Sequence, residues 1–332
     1  MKNTFFSGLV ILLLQGGYSS QGAPPQKGRS SVRLVFVGDI MLDNLPGETI
    51  AKGEDPFAPF ASVLEDADLT IGNLECPVAT TGVAVKKPFQ FRAHPRVLPV
   101  VKRHFSAVTI ANNHSGDYGK AALVEMLGLL KKSELPFFGG GMNLTEAHTP
   151  LILERNGLRI AFLGYVEFKP RLFEAGASLP GVAWSGGEDE QVLHDIRMAR
   201  EKFKADLVIP FMHWGWELEP QPCERQKVMS RKMIDAGADA VIGAHPHVTQ
   251  GAEYYKGHLI VYSLGNFVFD GFDSVETTTG WVLRMTLGPD GLVEWDTRLA
   301  HLDEKGTPHP MPKTLSPCGK AGSDKIEMCR AE

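Results

Sequence analysis

The sequence predicts an α/β fold built around a largely parallel sheet. Short apolar segments rich in β-branched residues alternate along the chain with longer segments of helical periodicity. Each apolar segment ends in a cluster of Gly, Asn, Asp or His, which is typical of a buried strand that ends at a loop. Strands that alternate with helices form βαβ units, and these units build parallel sheets.

The predicted elements follow in order along the chain. The predicted buried strands occupy residues 32–37, 69–71, 107–110, 207–212 and 240–242. The predicted helices occupy residues 96–103, 118–132, 188–204 and 226–236. Three antiparallel hairpins are predicted around Asn156-Gly157, Lys256-Gly257 and residues 288–291. Because no repeat or linker interrupts residues 32–302, we expect one domain that holds two sheets.

Composition and charge exclude several classes of protein. The chain has 332 residues, of which 43% are hydrophobic and 22% are charged. This balance excludes a disordered chain, a collagen-like repeat and a protein with several membrane spans. Lys and Arg number 34 and Asp and Glu number 39, which gives a net charge of −5. Without an excess of positive charge, a dedicated nucleic-acid binder is not expected.

Both ends of the chain are predicted to lie outside the domain. Lys2 precedes an apolar segment at residues 5–14, and small and polar residues follow this segment. We interpret residues 1–23 as a signal peptide and 24–31 as a linker, with an uncleaved interfacial anchor as the alternative. The protein is therefore expected in the periplasm, on the cell surface or in the medium. Residues 303–332 are expected to form a tail that packs loosely or not at all.

The cysteine count permits disulfides. The chain has four cysteines, Cys76, Cys223, Cys318 and Cys329, and an even number in an exported protein is compatible with paired thiols. Cys318 and Cys329 lie close together in the tail and could close a small loop. Three pairings are open from sequence alone, and free thiols are the alternative.

Polar residues follow the predicted strands at the points where these strands end. In a parallel sheet such residues converge on one crevice beyond the carboxyl ends of the strands. The set consists of Asp39, Asn73, Glu75, Asn113, His114, His213, His245 and His247. Carboxylate, carboxamide and imidazole groups are ligands of divalent transition metals, so the sequence predicts a site for Mn, Fe or Zn.

Single members of this set also have plain structural interpretations. His213 lies between Met212 and Trp214, where a hydrogen-bonded core histidine is a fair alternative. Asp39 could cap the turn after its strand, and Asp117 is expected to be the N-cap of the next helix. Five successive clusters of ligand types are nevertheless harder to explain by turns than any one of them.

The clusters belong to a series of motifs that resembles the CapA family of capsule and poly-γ-glutamate synthesis proteins. The motifs are Gly38-Asp39, Asn73-Leu74-Glu75, Lys87-Pro88-Phe89-Gln90-Phe91-Arg92, Asn112-Asn113-His114, His213-Trp214-Gly215-Trp216-Glu217, Gly243-Ala244-His245-Pro246-His247-Val248 and Tyr262-Ser263-Leu264-Gly265-Asn266-Phe267. They occur in the family's order over residues 32–270. The family is similar to the calcineurin-like metallophosphoesterases. The resemblance therefore implies a four-layer α/β/β/α sandwich of the metallo-dependent phosphatase type over residues 32–302.

The resemblance also implies a metal role for most members of the set. The implied ligands are Asp39 and His247 for a first ion, His213 and His245 for a second, Glu75 as the bridging carboxylate, and Asn113 as a carboxamide ligand. Met41 stands where the phosphoesterase motif has a histidine, and a thioether is a poor ligand for Mn or Zn. One or two divalent ions are therefore expected. His114 would not bind metal but would face the substrate, as a general acid or as a donor to developing negative charge.

The expected substrate is anionic. Lys87 and Arg92 lie on a basic loop beside Phe89 and Phe91, and such a loop could hold a polyanion such as poly-γ-glutamate. An ordinary solvated loop is the alternative. Asn73 and Asn266 are further candidate substrate contacts, and membrane-bound synthesis proteins are candidate partners.

Three functions from different classes stay open at this point. The first is an exported metal-dependent hydrolase or transferase, acting on a phosphoester or a γ-glutamyl amide. The second is a non-catalytic accessory protein that binds the polymer during export, and the third is a general exported phosphoesterase. His114 favours the first, and Met41 favours the second over the third.

The metal site also leads to an expectation about two cysteines. Cys76 directly follows Glu75, and Cys223 lies ten residues after His213. If Glu75 and His213 reach one metal centre, their loops share a rim. A disulfide between Cys76 and Cys223 is then expected, with free thiols as the alternative. The same pairing leaves Cys318 to join Cys329.

Overall fold

The computed structural model describes Met1 and residues 30–168, 171–187 and 189–330. In these residues the strands are β1 (Val32–Ile40), β2 (Leu69–Leu74), β3 (Ala107–Thr109), β4 (Phe137–Phe138), β5 (Gly140–Gly141), β6 (Leu151–Arg155), β7 (Leu158–Val166), β8 (Gly181–Val182), β9 (Leu207–His213), β10 (Ala240–Ala244), β11 (Ala252–Tyr255), β12 (His258–Val261), β13 (Asn266–Val268), β14 (Thr279–Gly288), β15 (Gly291–Leu302), β16 (Pro308–Pro310), β17 (Leu315–Lys320) and β18 (Glu327–Arg330). The α-helices are α1 (Asn44–Ala51), α2 (Ala61–Glu65), α3 (Leu98–His104), α4 (Gly119–Lys132), α5 (Leu144–His148), α6 (Asp189–Glu201) and α7 (Glu224–Asp235), with short 3-10 helices at Ala58–Phe60 and Pro95–Val97.

The predicted N-terminal segments fall almost wholly outside the described residues. The expected signal peptide at residues 1–23 and all but the end of the linker at 24–31 lie there, so both stay predictions. None of the helices in the described residues has the length and apolar character that a membrane crossing requires.

Two mixed sheets carry the fold. The first has the order β18-β17-β15-β14-β1-β2-β3-β4, with β13 beside β1 and β16 beside β15. The second has the order β11-β12-β10-β9-β7-β6, and β5 and β8 form a small separate ladder. The strands predicted from buried apolar segments pair in parallel, β1 with β2 and β2 with β3 in one sheet, and β9 with β10 in the other. The predicted hairpins form the antiparallel pairs β6–β7, β11–β12 and β14–β15.

The apolar contacts define four layers. The inner faces of the two sheets pack on each other, with the Phe36 ring 6.3 Å from Phe162 and 6.4 Å from Phe211 between ring centroids. Helices α3 and α4 cover the outer face of the first sheet, and α6 and α7 cover that of the second. Each large apolar side chain buried in these layers contributes about 1.5–3 kcal/mol to stability. The predicted four-layer α/β/β/α sandwich is confirmed.

The C-terminal residues belong to the first sheet, so the expected loose tail is wrong. Strand β17 pairs with β15, and β18 pairs with β17. Cys318 and Cys329 are joined by a disulfide between β17 and β18, with their Cα atoms 5.8 Å apart. The long strand β15 offers backbone donors and acceptors beyond its hairpin partner, and the tail satisfies them.

The expected bridge between Cys76 and Cys223 is also wrong, because both are free thiols. Cys76 follows Glu75 at a bend just after β2 and takes a different direction from the metal-ligand candidates. The Cys76 side chain lies in the apolar layer beneath the site, and its Sγ accepts a hydrogen bond from the Leu42 N–H at 3.4 Å. Burial raises the pKa of this thiol. Cys223 is the half-buried N-cap residue of α7.

Candidate metal centre

The carboxyl ends of parallel strands from both sheets bring the predicted residues together. Asp39 in β1 lies beside Asn73 in β2 and Asn266 in β13. Glu75 directly follows β2, His213 ends β9, and β10 leads into His245. Within the fold, this edge is the crevice that the sequence pattern predicts.

Two glycines allow the strand ends to approach closely. A Cβ atom on Gly38 would lie 1.8 Å from the Gly265 carbonyl oxygen, and one on Gly243 would lie 2.0 Å from the Tyr262 carbonyl oxygen. Any side chain at these positions would therefore push the strands apart. The loop after β10 is itself strained, because His245 and His247 have φ angles of 101° and 58°. A strained backbone of this kind is common at functional sites.

Two groups of buried side chains could each hold a metal ion. The histidine group consists of Glu75, His213 and His245, and the aspartate group consists of Asp39, Glu75 and His247. In each group the potential ligand atoms lie within 4.8 Å of one another. Since Glu75 belongs to both, the two groups form one centre with a shared carboxylate.

The polar atoms of this centre fit a cation. Both carboxylate oxygens of Glu75 and both ring nitrogens of His245 are buried, and none has a hydrogen-bond partner among the described residues. Leaving such groups unpaired is costly, and native proteins rarely do so without an ion or water. Burial raises the pKa of Glu75 well above its usual value and lowers the pKa of His213 and His245. Neutral imidazoles are the form that binds divalent metals, and a cation at this centre would stabilise the charged form of Glu75.

Behind the ligands lies a layer of asparagines. The Asn73 side-chain amide donates to Asp39 Oδ1 at 2.7 Å, and its carbonyl oxygen accepts from the Asn112 amide at 3.0 Å. Asn266 Oδ1 lies 2.8 Å from His247 Nδ1. Both side chains are fully buried and hold metal-ligand candidates in place, and the substrate contacts of Asn73 and Asn266 stay predictions.

Asn113 and Met41 occupy different surroundings. The half-buried Asn113 has its Oδ1 atom 2.7 Å from His213 Nε2, next to the histidine group, so its role as a carboxamide ligand stays a prediction. Met41 lies in the apolar layer of the first sheet, and its sulfur accepts a hydrogen bond from the Asp43 N–H at 3.2 Å. Met41 thus supplies nothing to the aspartate group.

His114 is held beside the centre by Asp117. His114 Nδ1 lies 2.7 Å from Asp117 Oδ2, and its Nε2 lies 4.0 Å from Glu75 Oε1. The contact with a carboxylate favours a proton on Nδ1 and leaves Nε2 facing the centre, and Lys87 Nζ lies 3.2 Å from the same Nδ1. Burial lowers the pKa of His114 despite the nearby Asp117.

Comparison with known proteins identifies the family. The profile described as "Bacterial capsule synthesis protein PGA_cap" matches residues 33–271, a range that includes both metal groups and His114. The chain belongs to this family.

Two PGA_cap relatives match most of the chain. The PGA biosynthesis protein CapA of Bacillus subtilis (strain 168) is 34% identical over 280 residues, which cover 81% of this chain and 73% of the relative. The capsule biosynthesis protein CapA of Bacillus anthracis is 32% identical over 315 residues, which cover 89% and 74%. A probable polyglutamine synthesis accessory protein of Mycobacterium tuberculosis (strain CDC 1551 / Oshkosh) is 29% identical over 231 residues, covering 65% and 60%.

The basic loop of this PGA_cap chain contacts other parts of the protein. Lys87 forms an ion pair with the fully buried Asp117, and its Nζ atom lies 2.9 Å from the Asn113 carbonyl oxygen. Arg92 stacks over Tyr118, with its guanidinium carbon 4.1 Å from the ring centroid. Side chains and backbone of the protein therefore already contact both cations, and their role in binding a polyanion stays a prediction.

Asp117 is the functional candidate that sequence reasoning missed. It is not the N-cap of α4, which is Tyr118. Its carboxylate instead contacts His114 and Lys87 and accepts a hydrogen bond from the Phe91 N–H at 2.8 Å. The signal in the sequence is an aspartate three residues after the histidine, and the capping interpretation concealed it.

Proposed function

We propose that this PGA_cap protein is an exported, metal-dependent hydrolase or transferase that acts on an anionic substrate in capsule or poly-γ-glutamate synthesis or export. The observation that carries the proposal is Glu75, which belongs to both ligand groups and whose two oxygens have no hydrogen-bond partner among the described residues. The mixture of imidazole nitrogens and carboxylate oxygens suits Mn, Fe or Zn, as one or two ions. The names of the Bacillus relatives supply the polymer and capsule context.

The chain's own residues position the substrate and move a proton. When bound, divalent ions at this centre would neutralise an anionic oxygen and lower the pKa of a water molecule. His114 Nε2 faces Glu75 and is placed to exchange a proton with a substrate atom. Asp117 keeps the other ring nitrogen protonated and fixes the ring. Phenylalanines pack on the imidazoles, with Phe91 4.6 Å from His114 and Phe168 5.0 Å from His245 between centroids, and they limit access of water.

His114→Ala is expected to retain metal while losing activity by roughly 10²–10⁴-fold, the usual contribution of a positioned acid or base. Activity on phosphoester and γ-glutamyl amide substrates is measured beside metal content by elemental analysis. The matched control is His301→Ala, since His301 is exposed and lies on β15 away from the centre. If His114→Ala also loses metal, His114 is a ligand and the proposed role is wrong.

A non-catalytic accessory protein that binds the polymer is the second candidate. Met41 favours it. The phosphoesterase motif has a histidine at this position, whereas Met41 packs in the apolar layer, so the aspartate group has only three side chains. Met41 also counts against a general exported phosphoesterase. Metal analysis combined with turnover distinguishes the candidates, since tight binding of poly-γ-glutamate without hydrolysis of either substrate class would favour the accessory role.

Export to the periplasm, the cell surface or the medium is part of the proposal, as is contact with membrane-bound synthesis proteins. The disulfide between Cys318 and Cys329 supports export, because such bonds persist in oxidising compartments. We expect the protein recovered outside the cytoplasm to begin near residues 20–24, as N-terminal sequencing would show. A cytoplasmic protein that retains Met1 would contradict export.

A further inference from the structure

A cavity of about 410 Å³ opens beside the metal centre. Asn113 and His114 line it on the side of the centre. Val166, Val182 and Trp184, which form a separate buried apolar cluster, line it elsewhere. The volume lies within the range of small-molecule sites in proteins. A group attached to an anion at the metal centre would therefore extend past His114 into this space.

The positive side chains in the cavity wall each have a negative side chain nearby, whereas a site for a polyanion requires an excess of positive charge. Lys87, which lines the cavity, forms an ion pair with Asp117, which lies outside the lining. Arg171 pairs with Glu174. The Arg171 guanidinium carbon also lies 3.7 Å from the centroid of the Trp184 ring. At the exposed edge, Lys86 and Glu217 carry opposite charges.

The aromatic side chains give the cavity its chemical character. Phe168 and Phe173 pack against the cluster of Val166, Val182 and Trp184, and both line the cavity. Phe173 is fixed against the backbone, since a Cβ atom on Gly116 would lie 2.1 Å from its ring. Flat, rigid aromatic walls favour planar or aliphatic ligand groups.

We propose that this cavity is a subsite for an uncharged, apolar group covalently attached to the anionic group that occupies the metal centre. The inference rests on the proposed function, because it takes the anion position from the two ligand groups. It adds a selectivity for an apolar group next to the reacting anion, which the polymer context does not supply. The charged side chains of a polyanion remain outside, and the substrate portion adjacent to the reacting group is apolar.

Phosphonates that are not hydrolysed test the subsite by binding alone. The wild-type chain is first titrated with Mn²⁺ or Zn²⁺, and the metal-loaded protein is then titrated with phenylphosphonate and methylphosphonate by calorimetry. Burial of the phenyl ring should make phenylphosphonate bind about 10- to 100-fold more tightly. Comparable affinities for the two would overturn the subsite and leave the metal centre and its proposed function intact. Failure of both to bind the metal-loaded protein would overturn the anion position and the subsite with it.

Matched variants assign the preference to the cavity. Leu172 lines the cavity and is 53% exposed, whereas Leu179 is 51% exposed and is not among the lining residues. Leu172→Asp should reduce the preference for phenylphosphonate by about 10-fold, because the ring would lose an apolar contact and would desolvate a carboxylate. Leu179→Asp should keep the preference. Trp184→Ala should reduce it as well, and equal preferences in Leu172→Asp and Leu179→Asp would contradict the subsite.

Discussion

A Glu75→Gln variant is expected to lose metal from both positions of the centre, because Glu75 belongs to both ligand groups. The loss in affinity should exceed about 100-fold, since changes behind a ligand alone already cost about 10–100-fold. His213→Ala and His245→Ala should weaken the histidine group, and His247→Ala should weaken the aspartate group. Elemental analysis and metal titration of the four variants measure this pattern. Wild-type metal content in Glu75→Gln would show that Glu75 is not a metal ligand.

In the absence of metal, the same substitution is expected to leave thermal stability unchanged or to increase it. Burial and the neighbouring Asp39 raise the pKa of Glu75 above its ordinary value of 4.5. The metal-free wild type therefore loses stability as the pH rises from that value through the raised pKa, because ionisation leaves a buried charge without a partner. Glutamine does not ionise, so in chelator at neutral pH Glu75→Gln should melt at the same or a higher temperature. A lower melting temperature would mean that the carboxylate has a stabilising partner within the protein.

Local patterns predict the fold well where the pattern itself determines the structure. The turn at Asn156-Gly157 has φ angles of 52° and 78°, which these residue types adopt readily, so the hairpin follows from two positions. The C-terminal strands have no such local signal. Strand β17 pairs with the edge of β15 that β14 leaves open, so its place depends on a hairpin elsewhere in the chain.

The site shows a similar division. The ligand candidates are predictable because their place after a strand fixes which edge of the sheet they reach. Their supporting contacts depend instead on segments that meet only in the folded chain. Asn266 reaches His247 because β13 pairs with β1, and the role of Lys87 depends on the buried position of Asp117. Residue type and spacing alone therefore do not reveal these supporting contacts.

The pair of Lys87 and Asp117 allows stability and chemistry to be separated. The Lys87 side chain is 16% exposed and that of Asp117 is fully buried, so removing one partner leaves the other without its counter-charge. Asp117→Asn is expected to destabilise the protein by about 3–5 kcal/mol, the typical cost of breaking a buried ion pair. Chemical denaturation of the metal-free and metal-loaded forms measures this cost.

Adding Lys87→Met to Asp117→Asn should restore most of the lost stability, because an apolar side chain of similar length removes the unpaired charge. Activity should not return, since asparagine cannot act as the charged partner that keeps His114 Nδ1 protonated and its ring oriented. Metal content should match the wild type throughout, because neither residue belongs to a ligand group. Recovery of activity together with stability would show that Asp117 acts only through folding. A double variant as unstable as Asp117→Asn would show that the ion pair is not what Asp117 contributes to the fold.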